Sequence, residues 1–116
     1  MKLAAAALAV LVLGGCAQPV DSPLGDARNG QLLLRQFGCG SCHLIPGVAT
    51  ASGTAGPPLA GIARRAYLAG LLANTPDNML RWIRDPQAVD PRTAMPNLSV
   101  SEAHARDMVA YLYGLR

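Results

Sequence analysis

Aromatic side chains are scarce in this sequence: one Trp, one Phe and three Tyr among 116 residues. An interior built from this chain alone must therefore be aliphatic, made of Leu, Ile, Val, Met and Ala, and a single small domain of this length has a thin core. Lysine is scarcer still, with Lys2 alone. The basic residues are spread along the chain and form no clustered basic face, which excludes a nucleic-acid footprint. Long hydrophobic runs are missing too. The longest, Leu3–Leu13, has eleven residues, well short of the ~20 that a membrane span needs. No stretch alternates apolar and polar residues as a strand would, so the pattern predicts an all-α fold.

Cysteine and histidine are few, three and two, but they are not scattered. Cys39-Gly40-Ser41-Cys42-His43 sets two thiols three residues apart and a histidine directly after them. Positions i, i+3 and i+4 share one face of a helical turn. This is the spacing of c-type haem attachment: each thiol forms a thioether with one vinyl group, and the histidine offers an imidazole nitrogen to the iron. A zinc site would need a second ligand pair, and only Cys16 and His104 remain, at poor spacing. A thioredoxin-like redox pair would need a surrounding βαβ pattern, which is missing. A haem would also supply the large apolar body that the aromatic-poor chain lacks.

The third cysteine belongs to the N-terminus. Lys2, the apolar run and Leu13-Gly14-Gly15-Cys16 read as an export signal whose end resembles a bacterial lipobox. The expectation is a signal peptide over 1–15, a lipidated Cys16 with a tether through residue 26, and a folded domain over 27–116. Several acyl chains bury enough methylenes to anchor a protein that one chain would not. An ordinary cut after Ala17 and an uncleaved anchor are the alternatives. Loss of Lys2 with the leader leaves nine arginines against seven acids, a charge of +2 that two haem propionates bring near zero.

Within the domain, Asp26 is a plausible cap for a first helix carrying Leu32, Leu33, Leu34 and Phe37. Residues 44–58 are rich in Gly and Pro and read as loop. Short helical stretches are expected over 60–65 and 67–73. Thr75-Pro76-Asp77 opens a helix bearing Met79, Leu80, Trp82 and Ile83 that stops before Pro86. Residues 85–98 read as loop. Ser99-Val100-Ser101-Glu102 has the capping-box pattern and precedes a helical stripe of Ala105, Met108, Val109 and Leu112.

The candidates for a second iron ligand are Met79, Met95, Met108 and His104. Met79 and Met108 fall on helix faces, where methionine fills cores, and His104 lies in a charged, solvated segment beside Glu102 and Arg106. Met95 sits in the loop Thr93-Ala94-Met95-Pro96-Asn97, with no apolar stripe to join. Its soft, neutral thioether favours ferrous iron. Met95 is the expected ligand.

The domain resembles class I c-type cytochromes and, more closely, the cytochrome c domains fused to subunit II of some bacterial terminal oxidases. The resemblance spans about residues 28–115. It rests on the Cys39–His43 motif, Gly56-Pro57-Pro58-Leu59, Arg65, Asp85-Pro86 through Met95, and Ala110-Tyr111-Leu112. It implies several short helices around one covalent haem c. By the same resemblance, the Pro57 carbonyl accepts the second ring N–H of His43, Leu59 and Trp82 wall the haem, Arg65 faces a propionate, and Thr93 hydrogen-bonds one. For Arg65 and Trp82, a surface charge and a core aromatic are the plainer alternatives. Gly30 lies nine residues before Cys39 where the family more often has eight, and Arg35 stands at a usual aromatic position. The contact between first and last helices is therefore left open, with Leu34 or Phe37 as substitutes.

These readings give a single-haem electron carrier, not an enzyme, anchored to the bilayer through Cys16 on the periplasmic or outer face of the bacterial envelope. It would pass electrons from a quinol-oxidising complex to a terminal oxidase. A permanently bound electron-entry subunit of an oxidase or dehydrogenase is the second possibility. A haem enzyme or gas sensor is the third, but nothing here supplies the polar distal acid–base pair that such chemistry wants.

Overall fold

A computed structural model describes residues 24–116. The signal segment, Cys16 and most of the tether lie outside the described residues. The order of elements is α1 (Ala27–Gln36), a 3-10 turn over Cys39–Ser41, a second over Ile62–Arg64, β1 (Tyr67–Leu68), β2 (Leu72–Ala73), α2 (Pro76–Arg84), α3 (Pro86–Val89) and α4 (Glu102–Leu112). The described domain is mostly helical. Among its residues no helix is long and apolar enough to cross a membrane.

Helix α1 begins where a short acceptor meets free amides: the Asp26 carboxylate accepts from the N–H groups of Arg28 (2.9 Å) and Asn29 (3.1 Å). Leu33 and Leu34 are buried while Leu32 points outward. Thr75 caps α2 in the same way, with Pro76 in its first turn and Asp77 close to its positive end.

The first and last helices pack together, and Gly30 decides how closely. A Cβ at that position would overlap the carbonyl of Asp107 and lie 2.9 Å from the Met108 nitrogen, so only glycine lets the backbones approach this far. Asp107 then clamps the crossing. One carboxylate oxygen accepts from the Asp26 N–H at 2.8 Å, the other from the Asn29 amide at 2.7 Å. The open question about this contact is resolved: Leu34 is in the core, and Phe37 meets the His104 ring edge-on, centroids 6.0 Å apart. The core also takes Ile45, Val48, Ile62, Leu68, Met79, Ile83, Val100, Ala105, Met108, Val109 and Leu112. Each large aliphatic side chain buried there contributes about 1.5–3 kcal/mol.

Three local expectations need correction. Residues 67–73 form a hairpin, not a helical stretch. Ala69 (φ 52°) and Gly70 (φ 68°) both take positive φ, the backbone of a tight hairpin turn. Tyr67 pairs with Ala73 and Leu68 with Leu72, so Leu68 turns into the core while Tyr67 faces out. Asn74 ties the root of the hairpin, donating to the carbonyls of Ile62 and Arg65 at 2.8 Å each and accepting from the Tyr113 hydroxyl at 2.7 Å. Second, the 85–98 loop opens with the one-turn helix α3, capped by Asp85. Third, the cap of α4 is Ser101, which accepts from the His104 N–H at 3.2 Å. Ser99 lies outside the helix with φ 56°, so the Ser99–Glu102 box does not form.

Candidate functional site: the Cys39–His43 turn and the Met95 loop

The two cysteines stand at the 3-10 turn that follows α1, Cys39 half-buried and Cys42 exposed, and neither is in a disulfide. The Cys39 carbonyl receives the N–H of Cys42 (3.2 Å) and of His43 (3.0 Å). The turn continues as the spacing predicted, so the three side chains leave one short stretch of backbone. Burial pushes the Cys39 thiol above its ordinary value, and Cys42 adds in the same direction. A redox-active Cys-x-x-Cys pair wants the opposite, a stabilised thiolate.

The segment 51–59 crosses over this turn. Gly53 N–H donates to the Gly40 carbonyl at 3.0 Å, Gly56 to Cys42 at 2.7 Å, and Leu59 to Leu44 at 2.9 Å. Gly56 lies flat against the imidazole. A Cβ there would overlap the ring and stand 2.7 Å from Nδ1 and 2.9 Å from Nε2. His43 Nδ1 is 2.7 Å from the Pro57 carbonyl oxygen. A carbonyl only accepts, so Nδ1 carries the proton, and in the neutral ring Nε2 keeps its lone pair. A metal-ligating histidine needs such a tautomer, fixed by a partner on its other nitrogen.

Met95 is held by backbone bonds on both sides of its side chain. Its N–H donates to the Thr93 hydroxyl at 3.2 Å, and its carbonyl accepts from the Gln87 amide at 2.7 Å. Met95 and Thr93 are half-buried. Its rivals are accounted for otherwise: Met79 and Met108 are core residues with 2% and 0% exposure, and His104 is exposed against Phe37. Leu59 and Trp82 are half-buried. The Arg65 guanidinium donates to the carbonyls of Pro58 and, at 3.2 Å, of Ala60. It thus braces the Gly56–Leu59 segment, a role the sequence reading did not include. Gln87 and Asn74 were missed outright. Their partners are carbonyls of residues 8–12 positions away, and no short-range pattern marks such a pair.

Two cysteines three residues apart, followed by an imidazole with one nitrogen engaged and the other available, suit a covalent haem better than a protein-held metal. Among the described residues no group of three or more His, Cys, Asp or Glu side chains gathers to hold an ion. The geometry therefore points to a class: a haem c-binding domain.

Comparison with known proteins agrees. The sequence model of the cytochrome c family matches residues 27–116, and the chain belongs to that family. It is 33% identical over 104 residues to cytochrome c oxidase subunit 2 of Alkalihalophilus pseudofirmus, across 88% of this chain and 30% of that protein. With cytochrome c oxidase subunit 2 of Bacillus subtilis it shares 34% identity over 97 residues, across 78% of this chain and 26% of that one. The chain thus spans less than a third of the length of these relatives. Family membership carries a covalently bound haem c, and Cys39 and Cys42 fit its attachment motif.

Proposed function

We propose that this chain is a membrane-anchored one-electron carrier in which His43 and Met95 would hold the iron of a single haem c. Haem, when bound, supplies the exchange of one electron between ferric and ferrous iron. The protein's part is to hold the ligands still and keep water away. The observation that carries the reading is the His43–Pro57 bond, which reserves Nε2 for a metal. Met95, held at both backbone groups, would supply the second ligand, leaving small molecules no open site. Leu59 and Trp82 exclude water from the ring. Thr93 already accepts the Met95 N–H, which leaves its hydroxyl proton to donate to a propionate. Arg65 has donors beyond those given to Pro58 and Ala60 and offsets the charge of the other propionate.

In this reading residues 1–15 are removed, Cys16 is acylated, and residues 16–26 tether domain 27–116 to the outer or periplasmic face of a membrane. A quinol-oxidising complex would be the electron donor and a terminal oxidase the acceptor. The chain itself makes and breaks no substrate bond. The oxidase subunits among its relatives support the respiratory setting. They also favour a second arrangement, the same domain held permanently in an oxidase as its electron port. Co-purification at fixed stoichiometry in mild detergent distinguishes that arrangement from the shuttle.

The test of the ligand set is an optical spectrum of the mature protein, oxidised and then reduced under carbon monoxide. A low-spin ferric haem with the methionine–iron charge-transfer band, unmoved by carbon monoxide, is expected. Rapid carbon monoxide binding would overturn the His43/Met95 carrier.

A further inference from the structure

Helix α3 is only four residues long, yet it reaches the Met95 segment at two points. From its second residue, Gln87 donates to the Met95 carbonyl at 2.7 Å. From its cap, Asp85 Oδ1 accepts from the Ala88 N–H at 3.3 Å and from the Asn97 amide at 3.4 Å. Asn97 in turn accepts the Ser99 N–H at 2.9 Å. Between these two points stands Pro96, which has no N–H and biases the residue before it toward extended backbone. Gln87 is half-buried, and among the described residues its amide makes this single hydrogen bond.

We propose that Gln87 is a positioning residue for the sixth iron ligand, and that it holds the Met95 thioether in place against competing ligands in the ferric state. The inference rests on the reading of Met95 as a ligand. A soft thioether suits ferrous iron better than ferric, so oxidation is the point at which methionine is most easily displaced. For the thioether to leave, the backbone of residue 95 must swing or the side chain must rotate away. The Thr93 and Gln87 bonds oppose the first route. Thr93 lies two residues from Met95 and moves with the loop. Gln87 is anchored on another element, so it ties the loop to the body of the domain.

The test is a titration of the ferric full-length holoprotein with imidazole, followed through loss of the methionine–iron band. Gln87→Ala removes the donor. Gln87→Glu keeps the length and packing but, ionised, has nothing to donate. Both variants should be half-displaced at about 2- to 10-fold lower imidazole than the parent, the equivalent of one net hydrogen bond. Their reduction potentials should fall, because weakening methionine ligation costs the ferrous form more. Asp107→Ala loosens the helix pair away from the ligand and should leave the imidazole midpoint in place. Two variants that titrate like the parent would overturn the proposal, as would an equal shift in Asp107→Ala. If the parent itself shows no methionine–iron band, the ligand assignment falls first and this inference with it.

Discussion

The α1–α4 crossing and the loops that carry His43 and Met95 are both places where backbone approaches backbone, but they are held by different means. At the crossing, apolar burial does most of the work, Gly30 removes the obstacle, and Asp107 clamps the result. In the loops, individual side chains hold one or two backbone carbonyls each: His43 that of Pro57, Arg65 those of Pro58 and Ala60, Gln87 that of Met95. Burial is cooperative and non-directional, so a crossing fails as a whole. A hydrogen bond is directional, so each loop contact can be cut alone and should change the site before it changes the fold.

The sharpest way to break the crossing is Gly30→Ala. The new methyl has no room against the Asp107 carbonyl, and the helices must separate. A loss of about 3 kcal/mol or more is expected, read as the urea midpoint of the holoprotein, and an unchanged midpoint would refute the close approach. Gly56→Ala is the matching cut in the loops. Its methyl would displace the His43 ring, so the low-spin spectrum should be lost while far-ultraviolet circular dichroism keeps its helical signal. If both signals disappeared together, the two regions would not be separable. Asp107→Ala tests the clamp alone, with an expected cost of about 1–2 kcal/mol and an unchanged haem spectrum.

The smallest effect concerns Glu102 at the start of α4. Its hydrogen bond to Arg106 at 2.6 Å, then that charge itself and Arg84 at 3.5 Å, hold the carboxyl below its ordinary value. A lowered native-state value means the contribution is present above the unfolded carboxylate range and is lost as pH falls through the folded value. The group is solvent-exposed, so Glu102→Gln should lower stability slightly at neutral pH and not at all in strong acid. Urea midpoints measured across that range provide the check.

The places where sequence reading erred share a cause. Residues 67–73 are mostly Leu and Ala, good helix formers, but the burial of Leu68, the positive φ at Ala69 and Gly70 and the ties from Asn74 outweigh propensity. Ser99 resembles a cap locally, whereas Ser101 is placed by the packing of Val100 into the core. Gln87, Asn74 and the bracing role of Arg65 depend on which carbonyls come near, and that is a property of the folded chain. By contrast, Asp26 and Thr75 read correctly as caps, because a cap bonds amides two or three residues away.

From the sequence alone come the attachment motif, the helical class, the caps of α1 and α2, and Met79 and Met108 as core residues. All of these depend on spacings of four residues or fewer, where chain geometry leaves few choices. The tertiary structure alone decided that Gly30 meets Asp107, that Gly56 backs the imidazole, and that Gln87 reaches Met95. Those contacts join residues far apart along the chain or on different elements, and only packing of the core brings them within the few ångströms over which sterics and hydrogen bonds act.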